Sequence, residues 1–308
     1  MDATAPTPRR LTAADLDRVV AIDAEVGGRS RRGFFARRLG PAGGDGIVAL
    51  GDERGGRLDG FAFAHLQDGE FGDPAPVGVL DALGVLPAAR GAGVATRLLA
   101  ALEAALAERG AHELRTEADW AEQTLAGFFA AAGFRVAPRI VLLRPVGDLV
   151  LGGEEFDWEE LPVRSMAEED LPAIVRLDRK ITGRDRTAYY RRKADEVLRQ
   201  SGVRLSLVAE VDRQFAGFLM ARVDYGEFGR ADPFAVLDTI GVDPAHARRR
   251  VGRALLGQLL LNLRSLRVEQ LVTLVEWNHF PLLAFLARAG FAPTQRLSFA
   301  KAIGAPAR

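Results

Sequence analysis

The sequence contains no cysteine. A disulfide framework, a thiolate nucleophile and a cysteine-ligated metal site are therefore excluded. Histidine is scarce: His65, His112, His246 and His279 are the only ones, and they lie far apart. None forms an H-E-x-x-H or similar spacing, so no metal is expected. Net charge is missing too, because 41 basic residues balance 41 acidic ones. That balance gives no support for a nucleic-acid or polybasic membrane partner, and neither is expected. No apolar run reaches the roughly 18 residues of a spanning helix. The amino-terminal stretch MDATAPTPRRLTAADLDRVV has no long apolar segment after its basic residues. It does not read as a signal peptide, and a cytoplasmic protein is the expectation.

What is present is a chain of 308 residues, 48% hydrophobic and 27% charged, as in ordinary globular proteins. Its length predicts two domains, each large enough to bury a core. The chain also repeats itself. DGEFG at 68–72 returns as YGEFG at 225–229, and LDALGVLP at 80–87 returns as LDTIGVDP at 237–244. Both pairs are 157 positions apart. The same offset carries Val94 onto Val251, Trp120 onto Trp277, and Gly133–Phe134 onto Gly290–Phe291. Upstream the offset is 155, matching Asp15–Leu16 to Asp170–Leu171 and Phe34–Phe35 to Tyr189–Tyr190. This period is a whole domain, not a solenoid unit. Residues 147–158, GDLVLGGEEFDW, fit a linker. The expected domains are 1–148 and 158–308, joined by 149–157.

Each copy reads as two helices, three strands, a long helix, a strand, a helix and a final strand. In the first copy the pattern places helices at 14–26, 31–39, 93–109 and 121–132. Strands are expected at 46–51, 58–66, 77–86, 112–117 and 138–145. The second copy repeats the order. The fold class is α/β (mixed α+β), a mixed central sheet flanked by helices in each copy.

The most informative segment is Val85-Leu86-Pro87-Ala88-Ala89-Arg90-Gly91-Ala92-Gly93-Val94-Ala95. A strand ends at proline, a turn with two glycines follows, and a helix opens. Outward N–H groups at a helix start carry partial positive charge and suit a phosphate. The turn alone is also compatible with a tight connection that binds nothing.

With that turn in place, the chain resembles the GNAT superfamily of acetyl-CoA-dependent acyltransferases. The family's Arg/Gln-x-x-Gly-x-Gly/Ala is matched by Arg90, Gly93 and Ala95, after Val85 and Pro87. Its helix ending in Gly-Phe is matched by Gly133–Phe134. The resemblance covers nearly the whole chain, twice. It implies a tandem GNAT-like fold, acetyl-CoA as co-substrate, and a small-molecule or protein amine as acceptor; a homodimer stays open. Val85, Leu86, Arg90, Gly91, Ala92, Gly93, Val94 and Ala95 are the cofactor-binding candidates of the first copy. A backbone N–H near Val85 or Leu86 would polarise the thioester carbonyl, with Val242 and Asp243 as equivalents. Further candidates in the second copy are Val251, Gly252, Arg253 and Asn278.

The second copy departs from the pattern. Without gaps, Arg90 aligns with Ala247 and Gly93 with Arg250. A literal motif at Arg249, Gly252 and Ala254 needs a two-residue insertion and throws Leu255–Leu256 out of line. The gap-free register is preferred. A degenerate structural copy and a second phosphate site both remain open there.

A direct attack by an amine needs a base. Asp81 and Asp238 are candidates on the fourth strand, and strict alternation sets Asp81 beside Leu83 and Val85. An ion pair or structural hydrogen bond is the competing reading. Glu70 and Glu227, in the preceding turn, are the next candidates, with a turn-forming role against them. The family's tyrosine acid is absent from the last helix, where Phe128–Phe129 and Phe285–Leu286 stand. Water, Tyr225, Tyr189 or Tyr190 would replace it, or the site has no acid at all. The aromatic pairs beside arginines at 30–38 and 183–193 line an acceptor cleft or pack on the sheet, and packing is preferred. A non-catalytic acyl-CoA sensor and a structural scaffold are the alternatives to an enzyme.

Overall fold

The computed structural model describes residues 7–28, 30–40, 46–67, 76–147, 161–195, 203–224 and 233–304. Glu70, Tyr225, Glu227 and the linker 149–157 lie outside the described residues.

The first copy comprises β1 (Arg9–Arg10), α1 (Leu16–Gly27), α2 (Arg32–Leu39), β2 (Ile47–Arg54), β3 (Arg57–Gln67), β4 (Val77–Val85), α3 (Val94–Ala107), β5 (Glu113–Asp119), α4 (Gln123–Ala131) and β6 (Arg135–Pro145). The second repeats the order as β7 (Val163–Ser165), α5 (Leu171–Thr182), α6 (Thr187–Asp195), β8 (Leu207–Val211), β9 (Gln214–Asp224), β10 (Phe234–Val242), α7 (Val251–Ser265), β11 (Gln270–Glu276), α8 (Phe280–Arg288) and β12 (Ala292–Ala302). The sequence pattern places all of these except β1 and β7, which are too short to show alternation. Ion pairs hold both edge strands: Arg9 binds Asp15 and Glu53, and Arg164 binds Asp170 and Glu210.

Periodicity explains the layers. In α3, Val94, Leu98, Leu99, Leu102 and Leu106 form one buried stripe against the sheet. β4 is buried on both faces, so its run VGVLDALGV is nearly continuous in apolar residues. The helices α1 and α2 bury Val19, Ile22, Phe34 and Phe35 against Phe61, Phe63 and Ala82 on the opposite face from α3.

Among the described residues, all twelve strands form one sheet, in the order β1-β2-β3-β4-β5-β12-β6-β11-β10-β9-β8-β7. The β4–β5 and β10–β11 pairs are parallel. The last strands are exchanged. β6 pairs with β11 and β12, while β12 pairs with β5 and β6. Neither final strand touches a strand of its own copy, so the sheet runs unbroken across the expected boundary. The cores are shared accordingly: Phe299 and Ile303 complete the core under α3, and Leu142 and Val146 that under α7. Burying one such side chain stabilises the fold by roughly 1.5–3 kcal/mol.

Two features open the sheet. Asp81 forms a bulge in β4 and Asp238 one in β10, each shifting the register by a residue. Thr116 Oγ1 donates to the Leu80 carbonyl at 3.2 Å, and Thr273 Oγ1 to that of Leu237 at 2.9 Å. Beyond these bridges the parallel strands separate. The last paired residues are Val79–Arg115 in one copy and Val236–Val272 in the other.

Candidate active site

Pro87 to Ala89 make a single 3-10 turn at the end of β4, closed by Arg90 N–H donating to the Pro87 carbonyl. Gly91 and Gly93 then both take the left-handed conformation, with φ of 78° and 75°. A side chain there would be strained. A Cβ at Gly91 would meet nothing within 4 Å, so that step faces open space. Val94, at the first turn of α3, is buried and anchors the helix start. Arg90, Ala92 and Gly93 are exposed, and Ala95 is half-buried. Arg97 ties the turn down: Nη1 donates to the Ala92 carbonyl at 2.8 Å and Nε to the buried Asp52 carboxylate at 2.8 Å. The exposed N–H ends of a helix, reached by a turn bare of side chains at Gly91 and Gly93, can receive a phosphate.

The second copy makes the same turn from different residues. Arg248 and Arg250 stand at φ 68° and 60°, in register with Gly91 and Gly93. α7 starts at Val251 as α3 starts at Val94. This geometry selects the gap-free alignment over the literal motif at Arg249. Two arginines in left-handed backbone cost about 1–2 kcal/mol each. Gly252 lies against the Phe285 ring, where a Cβ would come to 3.3 Å. Arg253 is half-buried on the same turn.

The strand ends carry the backbone N–H groups expected to polarise a carbonyl. Leu86 N–H donates to the Asp59 carbonyl at 3.0 Å, and Asp243 N–H to that of Ala216 at 2.8 Å. Leu86 and Asp243 are thus engaged with the neighbouring strand. Antiparallel bonding alternates sides, which turns the Val85 and Val242 N–H groups away from that strand and toward the gap beside β5 or β11. Of each expected pair, the valine faces the opening.

The carboxylates are placed differently from simple alternation. Because of the bulge, Leu80, Leu83 and Val85 pack on the α3 side, while Asp81 turns to the α2 side. Its buried carboxylate lies 2.9 Å from Arg38 Nη1 and 3.0 Å from His65 Nδ1. Asp238 is held likewise, with Lys193 Nζ at 3.3 Å and Arg222 Nε at 3.6 Å. Two basic side chains on each carboxylate suit an anchoring role better than proton uptake from an amine. Sequence reasoning paired none of Arg38, His65, Lys193 and Arg222 with the aspartates. The internal repeat holds the signal, because offsets of 155 and 157 place a basic residue opposite each of them.

The remaining candidates separate from the turn. Tyr189 and Tyr190 are buried in the core with Phe218, as are Phe34 and Phe35 in the first copy. Tyr190 donates to Asp178 at 2.9 Å, and burial pushes its phenol above the usual value. Neither tyrosine reaches solvent as an acid would. Asn278 is exposed, one residue before His279, whose Nδ1 accepts the Leu282 N–H at 3.4 Å as the cap of α8. Among the described residues, no group of three metal-ligating side chains converges, and no helix is long and apolar enough to cross a membrane.

Known structures share this architecture. A tandem GNAT protein from the clavulanic acid biosynthesis pathway superposes with a TM-score of 0.65 at 19% identity, covering 97% of this chain and 99% of that one. A GNAT from Sphaerobacter thermophilus gives 0.62 at 16%, covering 96% and 95%. The glucosamine N-acetyltransferase region of a fungal multi-domain protein gives 0.66 at 17% identity over 97% of this chain. This chain spans only 38% of that larger protein. At these identities the likeness is one of fold. No curated protein matches the sequence. The acetyltransferase (GNAT) family matches twice, at residues 23–134 and 171–291, together more than half of the chain. The chain therefore belongs to the acetyltransferase (GNAT) family.

Proposed function

We propose that the first copy transfers an acetyl group from acetyl-CoA to a primary amine by direct attack. One observation carries the reading: a strand end turned into the β4–β5 gap leads straight into the two-glycine turn of α3. A Cβ at either glycine would be strained, and the Gly91 step is open, which fits close approach of a pyrophosphate. The N–H groups around Gly91 to Ala95 would hold it, with Arg90 beside them. The Val85 N–H would polarise the thioester carbonyl.

The neutral amine attacks that carbonyl, forming the C–N bond and a tetrahedral oxyanion. The C–S bond then breaks and the thiolate of CoA leaves. The extra ammonium proton passes to solvent. The thiolate takes a proton from water, which its ordinary pKa near 8.5 permits. Orientation and the polarising N–H supply the rate enhancement. In the second copy the arginine side chains of Arg248 and Arg250 occupy the two glycine steps, so donor binding is assigned to the first. We place the enzyme in the cytoplasm and leave the acceptor as a small-molecule or protein amine. One structural relative is titled a glucosamine N-acetyltransferase, which makes an amino sugar a sensible first acceptor to screen.

The test is calorimetric titration of acetyl-CoA into the intact protein and into Gly93→Arg. Binding at one site per chain, lost in the variant, is expected. An acceptor screen for CoA release then follows. Absence of binding to the intact protein would overturn the reading.

A further inference from the structure

Two of the three tryptophans stand at equivalent positions, and both are exposed: Trp120 by 58% and Trp277 by 60%. Each follows its strand end without breaking the ladder. Trp120 N–H donates to the Gln295 carbonyl of β12 at 2.9 Å, and Trp277 N–H to the Pro138 carbonyl of β6 at 3.1 Å. The exchanged strands therefore fix both backbones from the opposite copy.

Register shows what each indole faces. β4 and β5 are paired at Val79–Arg115, and the Thr116 bridge keeps Leu80 in step. The bulge then sets Asp81 and Ala82 of β4 against the single residue Glu117. Counting on, Val85 comes level with Trp120. The same count from the Thr273 bridge brings Val242 level with Trp277. Leu114 and Ala118 pack on the α3 side of β5, and alternation carries Trp120 to that same side. Leu83, Val85, Leu125 and Phe128 pack there as well. α3, which starts straight after the two-glycine turn, packs on this face through Val94 and Leu98.

Both copies expose an indole at this point, but only Trp120 shares its copy with a two-glycine turn, where a bound apolar group would cover it. We infer that Trp120 is the wall of the donor cleft opposite the Val85 N–H, so that the acyl group of the bound thioester lies between the indole and β4. Trp120 then limits the acyl chain and determines donor specificity. The half-buried Leu83, Val85, Leu125 and Phe128 on that face would offer a short hydrocarbon an apolar lining. This inference rests on the donor reading proposed above.

The experiment uses single-tryptophan proteins of full length. Trp158→Phe with Trp277→Phe leaves Trp120, and Trp158→Phe with Trp120→Phe leaves Trp277. Acetyl-CoA is expected to shift the emission of Trp120 with the midpoint seen by calorimetry. Adenosine 3′,5′-bisphosphate, lacking the pantetheine and acyl parts, should not. The Trp277 protein is expected to stay silent. Trp120→Ala should weaken acetyl-CoA binding about tenfold. It should also shift the hexanoyl-CoA to acetyl-CoA affinity ratio about tenfold toward the longer chain. Trp120→Phe, which keeps an aromatic wall, should bind acetyl-CoA within about threefold of the parent. Calorimetric binding with an unmoved Trp120 emission and an unchanged Trp120→Ala affinity would overturn the inference and leave the donor reading standing. No calorimetric binding at all would overturn both.

Discussion

Gly93 and Arg250 occupy the same left-handed step, at φ 75° and 60°, immediately before α3 and α7. The turn is therefore dictated by the strand–helix geometry and survives the loss of the residue that suits it. Strain in the second copy is the consequence. Arg250→Gly and Arg248→Gly are each expected to raise stability by about 1 kcal/mol, because glycine adopts positive φ freely. Chemical unfolding would read this as a higher urea midpoint at unchanged slope. Gly93→Arg should lower the midpoint by a similar amount. Its Cβ would stand 3.1 Å from Arg97 Nη1 and press on the contact that ties the turn to Asp52.

Much of this fold was legible beforehand, for a physical reason. Long amphipathic stripes such as that of α3, and strands ending at Pro87 or Pro244, signal themselves within a short window. The repeat doubled each signal. The exchange of β6 and β12 was not legible, because strands related by duplication carry similar patterns and either could fill either slot. The orientation of Asp81 was misread for a different cause: a one-residue bulge leaves the pattern of apolar residues intact while reversing a side chain. The Gly91–Gly93 turn was found because glycine is conspicuous. Trp120, the proposed wall of the donor cleft, escaped notice because its level against Val85 depends on the Thr116 bridge from β5 to β4 and on the bulge at Asp81.

The two bulge aspartates yield a contrast in stability. Asp238 is enclosed by Lys193 and Arg222, and both the carboxylate and the lysine are almost fully buried. Removing one partner of such a set leaves an uncompensated buried charge, so Asp238→Asn should cost about 3–5 kcal/mol. Asp81→Asn should cost less, since Arg38 and His65 retain some contact with water. His65→Arg copies the residue of the second copy and should change stability by less than about 1 kcal/mol. Unfolding of the three variants checks the order. An Asp81→Asn protein of parental stability that loses acetyl transfer would instead make Asp81 the base.

Acid sensitivity should come from the repeated edge-strand pairs. The Arg9 guanidinium, against the upward push of burial, holds the Asp15 carboxyl down at about 2, with help from the Thr12 N–H. At Asp170 burial pushes upward, but Arg164 and the Ala167 N–H outweigh it and the carboxyl again lies below its usual value. A carboxyl depressed on folding binds its proton more readily when unfolded. The stability it contributes is present above the unfolded value near 4 and is lost as pH falls from there toward about 2. Urea midpoints measured between pH 5 and pH 2 should fall along that window. The double variant Asp15→Asn with Asp170→Asn should start lower at pH 5 and fall less steeply.

The strand exchange makes the copies one cooperative unit. Phe299 belongs by sequence to the second copy, yet its ring packs 5.5 Å from that of Phe129 in the first. Phe299→Ala removes a buried aromatic and should cost about 3–5 kcal/mol. If the copies were independent, that loss would fall on one transition and split the unfolding curve into two. The ladder β5-β12-β6-β11 argues for the opposite result. Unfolding the second copy withdraws β12 from β5, and unfolding the first withdraws β6 from β11. Each event strips the other copy of a strand and of buried core residues. A single transition is therefore expected in both parent and variant, shifted to lower temperature in the variant. A fragment of residues 1–148 should not fold alone, since β6 finds all its strand partners in the second copy.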